Sequence, residues 1–286
     1  MKNITVVIVT RNRAKDLKEC LESLARQKVL PEEVMVINNN SDDNTSEVIA
    51  VFKNRLKIEE YIEDKIGYSY VYNRGLKEAK TDWVAFIDDD CVAKRNWYEQ
   101  IIKSIRRLSN CSKIVSILGQ SKNYYSDNVF ACLFQYGNVL WREENMRFSR
   151  EIINYEILDS RNIVHNKKLL NDNKIKFDER LIYGSEDCDL GLQIQNKNLK
   201  AKYVVAMIAY HKEPSNLKDF WYKKRNYKKS DKFLKQKKHK FRRKKRQLNL
   251  DRKFKIFCQV TEELNILQKI FYLLLFIFIK LASRFD

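Results

Sequence analysis

The apolar run Trp83-Val84-Ala85-Phe86-Ile87 ends in three adjacent carboxylates, Asp88, Asp89 and Asp90. Like charges this close repel, so a buried strand can end this way only where something positive neutralises them. A hard divalent ion, Mg²⁺ or Mn²⁺, shared with phosphate oxygens of a ligand, would meet that need. A solvated acidic turn capping the next helix is the alternative. A second acidic pair, Glu186-Asp187, follows Gly184 and Ser185 far downstream. A carboxylate there could take a proton from an attacking hydroxyl. It could also be no more than acid in the first turn of a helix, where the dipole favours it. His211 closes a further apolar run, where a lone histidine is more often a hydrogen-bonded structural residue.

These groups need a scaffold that brings distant strand ends together. Ile4 to Val9 is β-branched and apolar, as in a strand covered on both faces. Leu17, Cys20, Leu21 and Leu24 then recur at helical spacing, and Pro31 precedes the strand Val34 to Ile37. Val48, Ile49 and Phe52 mark a second helix, Ile58 to Ile62 a third strand, and Tyr68 to Ala79 a third helix before the Trp83 strand. This alternation predicts an α/β fold with a doubly wound, mostly parallel sheet, whose ligands bind beyond the carboxyl ends of the strands. Three polar clusters fall at such ends: Thr10 to Arg13, Asn38 to Asp43, and Asp88 to Asp90. Further on, Asn96 to Leu108 reads as a helix, Ile114 to Leu118 as a strand, Glu186 to Gln195 as a helix and Tyr203 to Ala209 as a strand. Residues 123–154 are rich in aromatic and polar side chains and have no clear period.

A chain of 286 residues can bury an ample core. Its six cysteines are dispersed without a C-x-x-C pair, which suggests neither a zinc site nor a disulfide framework. No secretory leader is expected, because the apolar run after Lys2 is short and is followed by Arg11 and Arg13. The net charge of +19 is concentrated: residues 223–246 hold 15 Lys or Arg and one acid, Asp231, leaving only +5 elsewhere. Such a run can meet the phosphates of nucleic acid or of anionic lipid. Beyond it, Ile270 to Ile279 is wholly apolar between Lys269 and Lys280. A helix over residues 266–282 would be about 25 Å long, short for a hydrocarbon core of ~30 Å. It reads as a helix lying in the membrane interface, or as a core or dimerisation helix.

Taken in order, Val7-Ile8-Val9-Thr10-Arg11-Asn12, Ile37-Asn38-Asn39-Asn40-Ser41-Asp42-Asp43-Asn44-Thr45, Gly67 with Asn73-Arg74-Gly75, Phe86-Ile87-Asp88-Asp89-Asp90, and Gly184-Ser185-Glu186-Asp187-Cys188-Asp189-Leu190 resemble a family 2 glycosyltransferase of the GT-A fold. The resemblance spans about residues 3–212. It implies a GT-A domain over 1–212; the basic run and the apolar stretch after it make 213–286 a basic and apolar helical extension expected to anchor the chain to an anionic membrane surface. It also implies an inverting, metal-dependent transfer from a nucleoside-diphosphate sugar, UDP- or dTDP-linked, to a glycan or lipid-linked acceptor. The expected setting is bacterial surface polysaccharide synthesis at the inner, cytoplasmic face of the cell membrane.

By the same resemblance, Asp88, Asp90 and His211 are candidate ligands of Mg²⁺ or Mn²⁺, with Asp88 also reaching ribose, while Asp89 lies against the nucleotide or only shapes the turn. Thr10, Arg11, Asn12, Asn38 and Asn40 would form the base and ribose pocket, although the family commonly has an acid where Asn38 stands. Asn73 would lean on the nucleotide; Gly75 is either part of that stretch or a helix C-cap. Asp187 is the expected base, with Glu186 as alternative, and Asn162 is a candidate acceptor contact beside an unusually bulky Arg161.

Two other classes compete. A nucleic-acid-binding protein would use the Lys/Arg run, but that run has few stacking aromatics and the acids would repel a polyanion, so no nucleic-acid partner is expected. A nucleotidyltransferase would share an acidic metal site but need a Gly-rich phosphate loop, and the chain has only six glycines.

Overall fold

The computed structural model describes residues 3–108, 113–145, 151–152, 158–182, 184–226 and 248–282. Strand β1 (Ile4–Thr10) is buried along its whole length at the centre of the amino-terminal half. Strands β2 (Glu33–Asn38) and β4 (Trp83–Asp88) pair parallel to it on either side, and β3 (Ile58–Ile62) extends the sheet beyond β2. Helices α1 (Ala14–Ala25), α2 (Thr45–Phe52) and α3 (Tyr68–Glu78) make the crossovers. The chain thus moves outward from β1 to β3 and then returns to β4 on the opposite side of β1. That reversal opens a crevice at the carboxyl ends of β1 and β4, where Thr10 and Asp88 stand.

The second half is mixed rather than parallel. After β5 (Cys91–Ala93) and helix α4 (Trp97–Arg106), the sheet is completed by β6 (Ile114–Asn123), β7 (Glu151–Ile152), β8 (Asn162–Asn166) and β9 (Lys200–His211). The order is β3-β2-β1-β4-β8-β6-β9-β5, with β8 antiparallel to both neighbours, β9 parallel to β6, and β5 and β7 antiparallel to β9. Strand β6 runs past the expected Leu118 to Asn123. A register shift after Gly119 lets its polar residues Gln120 to Asn123 pair with Ile208 to His211. Alternation of apolar residues ends at that irregularity, so composition hides the rest of the strand.

Helix α5 (Val129–Asn145) fills the stretch that has no readable period. It buries Ala131, Cys132, Leu133 and Phe134 in succession, because it is covered from more than one side, which erases a 3.6-residue stripe. Helices α6 (Lys167–Asp172), α7 (Glu186–Asn196), α8 (residues 217–226), α9 (Leu250–Val260) and α10 (Ile266–Ala282) complete the described chain. Two apolar clusters pack on the two faces of the sheet. A third joins α5 to Phe220, Leu248, Ile256, Leu264 and Tyr272 of the carboxyl-terminal helices. Most of the basic run, residues 227–247, lies outside the described residues.

Gly75 is not a helix cap. It lies inside α3, where an added Cβ would sit 2.8 Å from Val7 and 3.1 Å from Phe86, so its role is close approach of the helix to β1 and β4. Asn162, at the start of β8, is fully buried. Its Oδ1 accepts from Trp97 Nε1 at 2.8 Å, and its Nδ2 donates to the Met207 and Gln120 carbonyls at 3.0 and 3.2 Å. The amide therefore ties α4, β6, β8 and β9 together. Asn162→Ala is expected to destabilise the fold by about 2–4 kcal/mol by orphaning the indole N–H and two carbonyls. A urea midpoint within error of the unsubstituted chain would remove that role.

Candidate active site

Burial of β1 and β4 fixes the backbone that carries the three acids, and each acid then meets a different element. Asp88 Oδ1 accepts from the Tyr72 hydroxyl of α3 at 2.9 Å. Asp89 accepts from Thr10 Oγ1 at 2.7 Å and from Arg13 Nη1 at 3.1 Å. Asp90 accepts from the same Arg13 nitrogen at 2.8 Å and lies 3.4 Å from His211 Nε2. Burial, reinforced by the charge of Asp90, pushes Asp88 up to about 6. Burial pushes Asp89 up to about 7 despite the opposing pull of Arg13. Asp90 is buried too, yet His211 and Arg13 hold it well below the usual carboxylate range. The triplet is three unequal carboxylates.

His211 belongs to a second network at the end of β9. Glu213 Oε1 lies 3.3 Å from His211 Nδ1 and accepts from Arg161 Nη1 at 2.9 Å and from Asn138 Nδ2 of α5 at 3.0 Å. The other edge of the Arg161 guanidinium is bidentate on Asp159, with Nε and Nη2 at 2.7 and 2.8 Å. The bulk of Arg161 therefore fills an ion-pair junction. Burial opposes ionisation of Asp159, but Arg161 brings it down to about 2. Burial works against a charged His211, and Asp90 and Glu213 outweigh it and raise its pKa.

Glu186 and Asp187 open helix α7, and the preceding loop is fastened to α3. The Ser69 hydroxyl donates to the Leu181 carbonyl at 2.7 Å, Asn73 Nδ2 to the Phe177 carbonyl at 2.9 Å, and the Phe177 amide returns a bond to Asn73 Oδ1 at 3.1 Å. Gly67 permits this approach: its φ is +143°, and a Cβ there would lie 2.9 Å from Ile182. The turn into α7 uses Gly184 at φ +126° and Ser185 at φ +67°. Glu186 is buried, and among the described residues its Oε2 has no hydrogen-bond partner. Burial and the neighbouring charges of Asp187 and Asp88 push its carboxyl well above the ordinary range. Burial and Asp159 push Asp187 up to about 6. Both acids thus share one negative field with Asp88 and Asp159. Among the described residues, no ion pair reaches Asp88, Glu186 or Asp187.

The first two strand ends hold the polar cluster. Asn12 and Asn40 adopt φ of +54° and +53°, which asparagine tolerates. Asn12 Oδ1 accepts from the Asp42 amide at 2.9 Å, and its own amide donates to Ser41 Oγ at 3.0 Å, so the β1 and β2 loops are stitched together. Arg11 and Asn40 are exposed beside them. Asn38 is buried, donating to Glu60 at 2.8 Å and accepting from the Ser41 amide at 2.9 Å.

The structure thus links Thr10, Asp89, Asp90 and His211 through direct contacts and Arg13, with Asp88, Glu186 and Asp187 in the same field. By contrast, the amides of Asn38, Asn73 and Asn162 are spent on the protein itself. The side chain of Asn162, the candidate acceptor contact, has no exposed surface. Sequence reasoning missed Arg13, Tyr72 and Glu213 and saw Arg161 only as bulky. Arg13 was visible as a cation in the polar cluster after β1, and Glu213 as the acid two residues past His211. Tyr72 gave no signal, being one aromatic among several on α3.

Among the described residues, no three His, Cys, Asp or Glu side chains are arranged as a ready cation cage. The donor set suits a hard cation nonetheless: Asp88 and Asp90 carry carboxylate oxygens, Asp88 lacks an ionic partner, and His211 borders Asp90. An ion held there would complete its coordination with ligand oxygens.

A family model described as glycosyl transferase family 2 matches residues 5–166. Chondroitin synthase of Escherichia coli is 26% identical over 239 residues, covering 74% of this chain and 35% of that protein. The chain therefore spans about a third of that relative's length. A Methanococcus voltae dolichyl N-acetyl-alpha-D-glucosaminyl phosphate 3-beta-D-2,3-diacetamido-2,3-dideoxy-beta-D-glucuronosyltransferase is 22% identical over 233 residues, covering 77% of this chain and 70% of that protein. Among solved structures, mannosyltransferase PcManGT from Pyrobaculum calidifontis, in complex with GDP-Man and Mn²⁺, superposes with a TM-score of 0.60 at 16% identity, covering 91% of this chain and 69% of that one. S. aureus TarS 1-349 in complex with UDP gives 0.58 at 19%, covering 90% and 70%. These likenesses establish the GT-A fold.

Arg161→Met leaves Asp159, Glu213 and His211 without their shared guanidinium and is expected to cost about 3 kcal/mol at pH 7. Asp159 and Glu213 have depressed values in the folded protein, so the stability they draw from Arg161 is present above the unfolded carboxylate range and lost as pH falls through the folded values. The gap between the two proteins should therefore narrow below about pH 4. Denaturant titrations at pH 7 and pH 3.5 giving the same gap would contradict the ion-pair account.

Proposed function

The chain belongs to glycosyl transferase family 2, and we propose that it is an inverting, metal-dependent member moving a sugar from a nucleoside-diphosphate sugar to a hydroxyl of a glycan or lipid-linked saccharide. The setting we propose is the assembly of a bacterial surface polysaccharide. One observation carries this reading: at the end of β4, Asp88 has no ion-pair partner among the described residues, and the buried Glu186, from a distant segment, lies in the same electrostatic field. The UDP and the GDP-Man with Mn²⁺ named for the solved neighbours support a nucleotide-sugar donor. A UDP- or dTDP-linked donor is favoured.

In this reading Asp88 and Asp90, with His211 bordering Asp90, hold Mg²⁺ or Mn²⁺. When bound, that ion supplies positive charge to the departing diphosphate. Thr10, Arg11, Asn12 and Asn40 face the nucleoside from the β1 and β2 loops. Asn38 and Asn73 support those walls from behind. Arg13 holds Asp89 and Asp90 in place without needing an external ion, and Tyr72 fixes the direction of Asp88 by donating to it.

Asp187 takes the proton. At about 6 its carboxyl is ionised at neutral pH and still basic enough to accept from a hydroxyl polarised by attack. The acceptor oxygen forms a bond to the anomeric carbon, and the opposite carbon–oxygen bond breaks with its electron pair going to the diphosphate. The hydroxyl proton ends on Asp187. Attack opposite the leaving group inverts the anomeric centre. Glu186, whose carboxyl burial and the charge of Asp187 push well above the ordinary range, is the alternative base beside it.

We also place the reaction at the inner face of the cell membrane, with the chain held peripherally. No helix among the described residues is long and apolar enough to cross a membrane.

Screened against UDP- and dTDP-sugars with Mn²⁺, Asp187→Asn is expected to lower kcat at least ~100-fold while the donor KM changes less than about threefold. Asp90→Asn is expected to abolish turnover and the response to added Mn²⁺. Near-normal turnover in Asp187→Asn moves the base elsewhere; unchanged metal dependence in Asp90→Asn refutes the ion site.

A further inference from the structure

Helix α10 is apolar on both sides, and only one side is covered. Tyr272, Phe276 and Ile279 face the third core cluster, with Tyr272 and Phe276 in ring contact with Tyr136 of α5. At 100° per residue the opposite side collects Ile266, Leu267, Ile270, Leu274, Ile277 and Phe278, all exposed. Leu267 and Leu274 are 78% and 62% accessible. This stripe runs about 18 Å along the helix axis. A continuous apolar surface of this kind marks an interaction site.

Charge selects the occupant. Residues 227–247 carry 12 Lys or Arg against the single acid Asp231, and Phe220 of α8 before them and Leu248 after them both pack in the cluster that α10 covers. A second copy would carry the same excess of positive charge and be repelled. An anionic bilayer attracts the run and accepts the apolar stripe at the headgroup and acyl boundary. A stripe on one side of a helix too short to span suits burial to side-chain depth.

We propose that the outward side of α10 is a membrane-docking face for anionic lipid, mounted on the catalytic domain rather than trailing from it. This rests on the peripheral placement proposed above and makes it specific. The mounting is α5: its Tyr136 packs on α10, its Asn138 donates to Glu213, and its Gln135 Nε2 donates to the Ser121 carbonyl of β6 at 3.3 Å. Docking therefore fixes the orientation of the β9 end and of His211 relative to the lipid surface, as a lipid-linked acceptor requires.

The test is co-sedimentation of the full chain with vesicles of phosphatidylcholine alone or with about a third phosphatidylglycerol, at 0.1 M salt, alongside light scattering and UDP binding in solution. The expected result is binding to the anionic vesicles and at least a tenfold loss in Leu274→Glu/Ile277→Glu, with mass, thermal midpoint and UDP binding unchanged. Leu267→Glu, one end of the stripe away, is a second variant expected to weaken binding should the double variant fold poorly. Failure of the unsubstituted chain to bind anionic vesicles, equal binding by well-folded variants, or a dimer that Leu274→Glu/Ile277→Glu dissociates would each overturn the proposal. None of these outcomes depends on transfer, so failure of the docking face and failure of the active-site reading are told apart.

Discussion

The architecture depends on one electrostatic constraint, the placing of adjacent acids at the end of a buried strand. Strand β4 can deliver Asp88, Asp89 and Asp90 into a water-poor crevice only because the neighbouring elements supply a distinct partner for each. Arg13 serves two of them, and its shared guanidinium lets Asp89 and Asp90 lie side by side. The donors on Asp88 are neutral, and burial then lifts it toward neutrality. An acid in that state is poised to gain a cation. The acids thus form a local excess of negative charge that a bound cation would offset.

The rest of the molecule serves that excess by holding segments far apart in sequence within one field. Strand reversal across β1 sets Thr10 beside Asp89, and the α3 face fastens the loop that leads to Glu186 and Asp187. The ion-pair junction of Arg161 with Asp159 and Glu213 locks His211 against Asp90. Its reach extends outward through Asn138 to α5, and through α5 to the carboxyl-terminal helices. The links from Asp90 to Asn138 are polar and those from α5 outward are apolar packing, so a disturbance at any of them would be felt by the acids.

The alternating strands and helices of residues 4–88 were readable from periodicity, because β1, β2 and β4 are covered on both faces and each helix has one apolar side. So were the acids themselves, since nothing else in the chain concentrates charge after an apolar run. Periodicity failed where burial comes from several directions, as in α5, and where a strand continues through polar residues, as in β6 beyond Gly119. Side-chain roles were the least legible. Asn38, Asn73 and Asn162 have the chemistry of ligand contacts, yet each is used to join backbone segments, and only the fold shows which neighbours claim an amide. Arg161, Tyr72 and Glu213 stayed hidden for the converse reason: their importance comes from what they hold.

The central claim is that the crevice between β1 and β4 binds a nucleoside diphosphate through a cation held by its acids. Isothermal titration of UDP into the unsubstituted chain, with and without Mn²⁺, tests it most directly. The account predicts tightening of at least tenfold when Mn²⁺ is present, equivalent to about 1.4 kcal/mol. Equal affinity in the two titrations would contradict it.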